Sequence, residues 1–326
     1  RAARRVARGE DGGESTCMST AEPPRGANFA PPGDSSVPKP YASAADRRGW
    51  EALDRELDAW QASGRCATLW WRDDDACSDS PALQRLLAIA RRNDVPAAVA
   101  AIPATTDATL FDAIAAVEQA TIVQHGYAHA NHAPQGERAA ELGSHRPAAA
   151  CVDELARGQA ELRRRFGNRF AAVLVPPWNR VATGLLPALP PAGLHGLSCF
   201  GPRGTATPCA GLVQVNTHVD LIAWKRGRAF IGVDSAIERL VAHLSARRTG
   251  GVDAAEATGV LTHHLAFAAA AWEFVDALCA RTRGHPAAMW LDVFNANPYG
   301  TNCWLLAAQG SDDAVVVDPG FEPSAV

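Results

Sequence analysis

Two groups of residues in this sequence could carry out chemistry: an aspartate triplet at 73–75, and the histidines of His125-Gly-Tyr-Ala-His129. A four-residue spacing places two imidazoles on one side of a helical turn, close enough to share a metal ion. Adjacent carboxylates repel one another, and a cation or a proton relieves that repulsion. Two histidines and one aspartate leave coordination positions open, as in catalytic sites for zinc or a related divalent ion. The triplet has a second interpretation, as an N-cap cluster before the helix predicted to begin at Ser80.

The elements that must position these residues alternate between strand-like and helix-like segments. The predicted strands lie at 67–71, 97–102, 121–124, 171–175, 196–199, 212–215 and 259–262. The predicted helices lie at 80–92, 152–166 and 234–247, after an amphipathic helix that begins at Asp46. Seven short strands in this alternation predict an α/β protein with a mostly parallel sheet, either open or closed into a barrel.

Polar residues follow five of these strands directly. They are the aspartate triplet, His125, Pro176-Pro177-Trp178, His218 with Asp220, and His263-His264. In parallel α/β architectures the carboxyl ends of the strands face one rim, and ligand sites form there. The clustering therefore predicts an enzyme whose site lies at that rim.

Four segments resemble, in order, the motifs of the polysaccharide deacetylases (NodB-homology, carbohydrate esterase family 4). Segment 71–76, Trp-Arg-Asp-Asp-Asp-Ala, is similar to their Thr-Phe-Asp-Asp-Gly motif, and 125–129 is similar to their His-Ser/Thr-x-x-His motif. Segment 176–179, Pro-Pro-Trp-Asn, resembles Arg-x-Pro-Tyr, and 261–263, Leu-Thr-His, resembles Leu-x-His. The resemblance covers about residues 65–285. It implies a distorted (β/α)7 barrel of the glycoside hydrolase/deacetylase type.

The resemblance also implies a metal centre with a neighbouring base. It makes Asp74 the general base and Asp75 a metal ligand together with His125 and His129, for a divalent ion that we expect to be zinc. A shift of one residue within the triplet would instead make Asp73 the base and Asp74 the ligand.

The remaining roles come from the later motifs. The resemblance places the backbone N–H of Trp178 at the oxyanion position and makes His263 the general acid, with His264 as the alternative. The residues expected to contact substrate are His132, Pro177, Asn179, Arg180, Asp220 and Trp224. The last two correspond loosely to a fourth motif, an acidic residue followed by tryptophan.

One departure from the family pattern concerns the arginine of the third motif. Val175 or Leu174 stands where that arginine is expected. Arg180 and Arg72 are nearby candidates to supply its charge, although neither matches its position.

The resemblance implies a metal-dependent hydrolase that removes N-acyl groups, such as acetyl, from a sugar or glycoconjugate. Two alternatives stay open. One is hydrolysis of a non-sugar linear or cyclic amide on the same fold, and the other is a non-catalytic carbohydrate-binding relative.

Composition limits the partners. The chain has 326 residues and a formal net charge of −4, so no general attraction to nucleic acid or to an anionic membrane follows. Its apolar stretches are too short for a membrane span, and its first residues lack the apolar core of a signal peptide. We therefore expect a cytoplasmic protein acting on a small-molecule or carbohydrate substrate, with the oligomeric state left open.

The two ends of the chain differ from its middle. Residues 1–45 are rich in Gly, Pro, Ser and charge and are predicted to be a disordered leader, before a catalytic domain at 46–290. Residues 291–326 are predicted to form an extra β-hairpin. This tail resembles the opening hairpin of metallo-β-lactamase-fold hydrolases, either as the truncated start of that fold or as an added edge hairpin.

Overall fold

The computed structural model describes residues 44–292, 304–307 and 314–317. Its helices are α1 (Ala44–Ala62), α2 (Pro81–Asn93), α3 (Ala108–Ala115), α4 (Ala148–Phe166), α5 (Val233–Thr249) and α6 (Ala269–Arg283). Its longer strands are β1 (Ala67–Ala76), β2 (Ala97–Ala101), β3 (Ala120–His125), β4 (Phe170–Val175) and β10 (Thr258–Thr262). The shorter strands are β5 (Gly196–Leu197), β6 (Val213–Gln214), β7 (Val219–Asp220), β8 (Ile222–Ala223), β9 (Ala229–Phe230) and β11 (Ala288–Trp290). The strands of the tail are β12 (Trp304–Ala307) and β13 (Ala314–Val317).

The main sheet has the strand order β6-β5-β4-β3-β2-β1-β10-β7, with β11 paired to the start of β1. All of these pairs are parallel. The two edge strands belong to one stretch of chain, 213–221. Thr217 N donates to Cys199 O beside β5, and the next residue, His218, donates from its N to Gly259 O in β10. This shared stretch closes the sheet into a distorted barrel of seven strand positions, which confirms the predicted fold.

Helix α2 shows how the sequence sets these elements. Ser80 caps it by accepting a hydrogen bond from Leu83 N, and Pro81 occupies its first turn, where a missing N–H costs nothing. Leu83 and Leu87, four residues apart on one face, are buried against the barrel. The helix ends at Asp94 in the left-handed conformation. Since Ser80 itself makes the cap, the N-cap interpretation of the aspartate triplet is wrong.

Strand β1 separates two environments by simple alternation. Trp70 packs with the alanines and valines inside the barrel, whereas Leu69 and Trp71 pack against the surrounding helices. Arg72 and Asp74 follow Trp70 at intervals of two residues and are also buried. β1 runs five residues further than the sequence predicted, and its register with β2 shifts between Asp73 and Ala76. The triplet therefore belongs to the strand, with an irregularity at its end.

One local prediction is wrong. His125 is the last residue of β3, and the segment from Gly126 to His132 forms bends and loop rather than a helix. Gly126 and His129 both have positive φ, which a right-handed helical turn does not allow. The two imidazoles therefore meet through a tight loop and not through helical periodicity.

The ends of the chain are described only in part. The predicted leader at 1–45 lies outside the described residues except for Ala44 and Ala45, where α1 begins. In the tail, β12 and β13 pair antiparallel, from Trp304 opposite Val317 to Ala307 opposite Ala314. The domain boundaries stay predictions. Within the described residues, every helix is too short or too polar to cross a bilayer.

Candidate active site

Three predicted ligands meet at the carboxyl end of the barrel. Asp75 Oδ1 lies 3.1 Å from Nε2 of His125 and 3.4 Å from Nε2 of His129. One ligand atom from each residue lies within 4.8 Å of the other two. His125 is almost fully buried, while Asp75 and His129 keep about a quarter to a third of their side chains exposed. The site is thus anchored in the barrel and open on one side.

The hydrogen bonding of His125 fits either a proton or a metal ion between its ring and Asp75. Its Nδ1 lies 3.0 Å from the carbonyl oxygen of Val175, and because a carbonyl can only accept, Nδ1 carries the proton. In the neutral ring Nε2 then presents a lone pair toward Asp75 Oδ1, so that two acceptors face each other at 3.1 Å. A proton or a metal ion between them removes the conflict. A backbone carbonyl that orients a histidine through its other nitrogen is also the usual support of a metal ligand.

The electrostatics of the three ligands differ. Burial alone would raise the pKa of Asp75, but the hydrogen bond from His125 and the charges of His125, His263 and His129 hold it below its ordinary value. Burial and the neighbouring His125 lower the pKa of His129. Burial also acts to lower the pKa of His125, yet the carboxylates of Asp74 and Asp75 raise it overall. At His129 burial and the neighbouring imidazole thus lower the pKa together, whereas at His125 the carboxylates outweigh burial.

The loop that carries His129 is held from behind by Glu141. This carboxylate is fully buried and accepts hydrogen bonds from the backbone N–H groups of Tyr127 (3.1 Å) and Ala128 (2.7 Å). Gly126 leaves the room that it needs, since a β-carbon there would lie 1.9 Å from Glu141 Oε2. Two amides and one glycine thus fix the path of the chain between the two histidines.

Asp74 lies inside the barrel beside the ligands and is held by Arg72. Nε of Arg72 is 2.9 Å from Asp74 Oδ1, and its Nη2 donates to Oδ2 at 3.0 Å. The same guanidinium donates to Ser198 Oγ at 2.7 Å and to Asn179 Oδ1 at 2.7 Å. Both Arg72 and Asp74 are buried. Arg72, one of two candidates for the missing arginine charge, is thus the one that contacts the aspartate.

The two histidines after β10 have different surroundings. His263 Nε2 is 4.0 Å from Asp74 Oδ2, and its buried Nδ1 has no hydrogen-bond partner among the described residues. His264 instead donates from Nδ1 to Asp73 Oδ1 at 2.5 Å, and its backbone N–H also donates to Asp73. His263 thus lies beside Asp74, and His264 pairs with Asp73. Mutation of each histidine can therefore decide which of the two is the acid.

Backbone strain concentrates at the same place. The non-glycine residues of the described chain with positive φ are Asp75, Asp94, His129, Trp178, Asn179 and Arg228. Each such conformation costs on the order of 1–3 kcal/mol, and such residues cluster at functional sites. Trp178 stands with its ring 4.4 Å from that of His129, in a single 3₁₀ turn at Pro177–Asn179. Its backbone N–H has no acceptor among the described residues, whereas the N–H of Asn179 donates to Pro176 O.

The predicted substrate residues divide into three groups. Trp224 Nε1 donates to Asp220 Oδ2 at 2.7 Å, and the Trp224 ring meets His263 edge-on at 4.6 Å, so these two lie at the site. Burial raises the pKa of Asp220, although the charge of His263 opposes it. Pro177, Asn179 and Arg180 follow β4 on the adjoining wall. His132 is exposed, and the structure gives its side chain no hydrogen bond to any described residue.

A second histidine group, His218, His243 and Glu256, does not meet the same test for a cation. Its ligand atoms also lie within 4.8 Å of one another. However, His218 Nδ1 accepts a hydrogen bond from Gly259 N, so its neutral ring carries a proton on Nε2 and has no free lone pair for a cation. Nε2 lies 3.3 Å from Glu256 Oε2 but forms no hydrogen bond to it. His218, which the sequence analysis placed at the rim, is therefore part of a buried structural cluster.

No family model matches this sequence, and no curated protein matches it. Among solved structures, one similar protein is a Mycobacterium smegmatis protein assigned to the polysaccharide deacetylases, at 18% identity and a TM-score of 0.48, covering 67% of this chain and 85% of that one. Another is a family 4 carbohydrate esterase from Streptomyces lividans, at 15% identity and a TM-score of 0.44, with coverages of 69% and 91%.

A third similar structure is a family 4 pseudoenzyme from Bacillus anthracis, at 13% identity and a TM-score of 0.43, covering 68% of this chain and 63% of that one. The likeness is one of fold alone.

Proposed function

We propose that this protein is a metal-dependent hydrolase that removes N-acyl groups, such as acetyl, from an amino sugar or glycoconjugate. The observation that carries the proposal is the position of Asp75 Oδ1, within 3.1 and 3.4 Å of two histidine Nε2 atoms, with Asp74 and His263 beside them. Two imidazole nitrogens and one carboxylate with an open side suit zinc in a catalytic site. A divalent ion held there would supply Lewis acidity toward the scissile carbonyl and make the attacking water more acidic.

The other groups divide the proton transfers. Asp74 accepts the proton of the attacking water, and the two contacts from Arg72 fix the position of its carboxylate. The free N–H of Trp178 donates to the oxyanion that develops on the carbonyl oxygen. His263, whose Nε2 lies 4.0 Å from Asp74 Oδ2, returns a proton to the leaving amine.

The substrate class follows from the walls of the site. Trp224 is 43% exposed and stands beside His263, which provides an apolar and aromatic face of the kind on which a sugar ring can pack. Asn179, Arg180 and Thr183, which follow β4, provide hydrogen-bond donors. The retained Asp75, His125 and His129 speak against the alternative of a non-catalytic carbohydrate-binding relative.

The test is acetate release from N-acetylated chitooligosaccharides by the zinc-loaded protein, with Asp74→Asn as the matched inactive control. Ring opening of a cyclic imide is measured in parallel. Acetate release that Asp74→Asn lowers at least ~10²-fold supports the proposal. Ring opening without acetate release favours the amide alternative. A zinc-loaded protein with neither activity contradicts the proposal in favour of the non-catalytic relative.

A further inference from the structure

A cavity of about 700 Å³ lies beside the candidate active site. One wall is the segment 179–185, which begins at the end of the Pro177–Asn179 turn after β4, and the other is the loop from Gly143 to Ala148. Asn179 joins the cavity to the catalytic side chains, since its Oδ1 accepts the hydrogen bond from Arg72, which in turn holds Asp74. The buried Arg72 side chain therefore connects the cavity, through Asn179 and Cys199, to Asp74.

Arg180 gives the cavity an uncompensated positive charge. Its Nη1 donates to the carbonyl oxygen of Ala139 at 2.6 Å, and no carboxylate of the described residues forms an ion pair with it. Burial and the charge of the nearby Arg138 lower the pKa of Arg180. By contrast, Arg146 on the opposite wall is neutralised by Glu154 through two hydrogen bonds of 2.9 and 2.8 Å. The charged group that acts on Arg180 is therefore another arginine and not a carboxylate.

We infer that this cavity binds an anionic substituent of the substrate, a carboxylate or a phosphate, close to the acylated nitrogen. The inference rests on the proposed function. Trp178 and Arg180 are two residues apart, so their Cα atoms are at most about 7.6 Å apart, at 3.8 Å per residue. A substituent on the acylated sugar, or on the next sugar of a glycoconjugate, can span that distance. The planar guanidinium fork pairs with a carboxylate or a phosphate through two parallel hydrogen bonds.

The chemistry of the lining supports an anionic sugar rather than a bare ion. Ser144 and Thr183 provide hydroxyl groups, and Asn179 an amide, around the single unpaired arginine of this wall. Hydroxyl and amide groups bind sugar hydroxyls by hydrogen bonds, whereas the arginine selects charge. An N-acylated amino sugar with a negative group fits this combination.

The test compares kcat/KM for three N-acetylated sugars: N-acetylmuramic acid with a carboxylate, N-acetylglucosamine 6-phosphate, and neutral N-acetylglucosamine. We expect the zinc-loaded wild type to prefer an anionic substrate, and Arg180→Gln to lower the ratio of anionic to neutral kcat/KM by ~10- to 100-fold, as for loss of a charge-assisted contact. Arg180→Lys should retain part of the ratio. Arg164→Gln, an exposed arginine paired with Glu161 on α4, is the matched control and should leave the ratio unchanged.

Binding separates the failure of this inference from that of the proposed function. Calorimetry with N-acetylmuramic acid and N-acetylglucosamine 6-phosphate, on Asp74→Asn with and without Arg180→Gln, needs no turnover. An Arg180-dependent loss of affinity supports the anionic cavity even if no acetate is released, and the tighter of the two ligands identifies the anion. Equal affinity in both variants, or a ratio of kcat/KM unaffected by Arg180→Gln, overturns it.

Discussion

Gly126 and Glu141 fit together: the side chain that Gly126 lacks would occupy the position of the Glu141 carboxylate. Through this contact, a buried acid fifteen residues further along the chain fixes the loop between His125 and His129. The proposed metal centre therefore depends on a residue outside the predicted ligand set.

Gly126→Ala and Glu141→Gln should both weaken metal binding. Gly126 has φ of +58° and a β-carbon there would meet Glu141 Oε2 at 1.9 Å, so alanine must displace the loop. Glutamine keeps the shape of Glu141 but can accept only one of the two backbone hydrogen bonds. We expect a loss of zinc affinity of ~10- to 100-fold, the range for supports of metal ligands, in a chelator-competition titration. Gly136→Ala is the control, because Gly136 also has positive φ but has open space around it.

Arg72→Met should destabilise the protein because it leaves Asp74 buried without its partner. Removing one member of a buried ion pair costs ~3–5 kcal/mol, which urea denaturation measures as a lower free energy of unfolding. The double variant Arg72→Met with Asp74→Asn should lose clearly less than the sum of the two single losses. Additive losses would show that Arg72 does not hold Asp74. Arg72→Lys should retain zinc while kcat falls, because a point charge does not reproduce the two contacts.

The Arg72–Asp74 pair and the contact of Glu141 with the loop of His129 show what the sequence could and could not predict. Arg72 and Asp74 are two residues apart on a strand, so alternation alone places them on one face. The order of the motifs and the strand ends likewise placed Asp75, His125 and His263 at one rim. Glu141 could not be found in this way, because it reaches the loop of His129 through irregular chain with no periodicity. The same reason explains the wrong helical turn at 125–129, where φ of Gly126 and His129 depends on tertiary contacts.

The pH dependence of turnover should separate His263 from His264. If His263 is the acid, wild-type turnover has a bell-shaped profile and His263→Ala loses its basic limb. His264→Ala should retain that limb, because His264 pairs with Asp73 and not with Asp74. Loss of the basic limb in His264→Ala alone would assign the general acid to His264 and the general base to its partner Asp73.

The free energy of unfolding should fall as the pH is lowered from about 6.5, partly because of His243. Burial, His218 and Arg247 lower the pKa of His243 to about 3, whereas in the unfolded chain a histidine has a pKa of about 6.5. Between these values the unfolded state takes up a proton that the folded state does not, which destabilises the fold by up to ~1.4 kcal/mol per pH unit. His243→Gln should show a shallower slope in urea denaturation between pH 7 and 4. The exposed His132, changed to Gln, is the control, and an identical slope in the two variants would contradict the argument.

The central claim is that Asp75, His125 and His129 hold one divalent ion. Its most direct test is the zinc content, by elemental mass spectrometry, of wild type, His129→Ala and Asp74→Asn after equilibration with zinc and gel filtration. We predict one zinc ion per chain in the wild type and in Asp74→Asn, and a loss of stoichiometric zinc in a folded His129→Ala. Full zinc occupancy in His129→Ala would contradict the account.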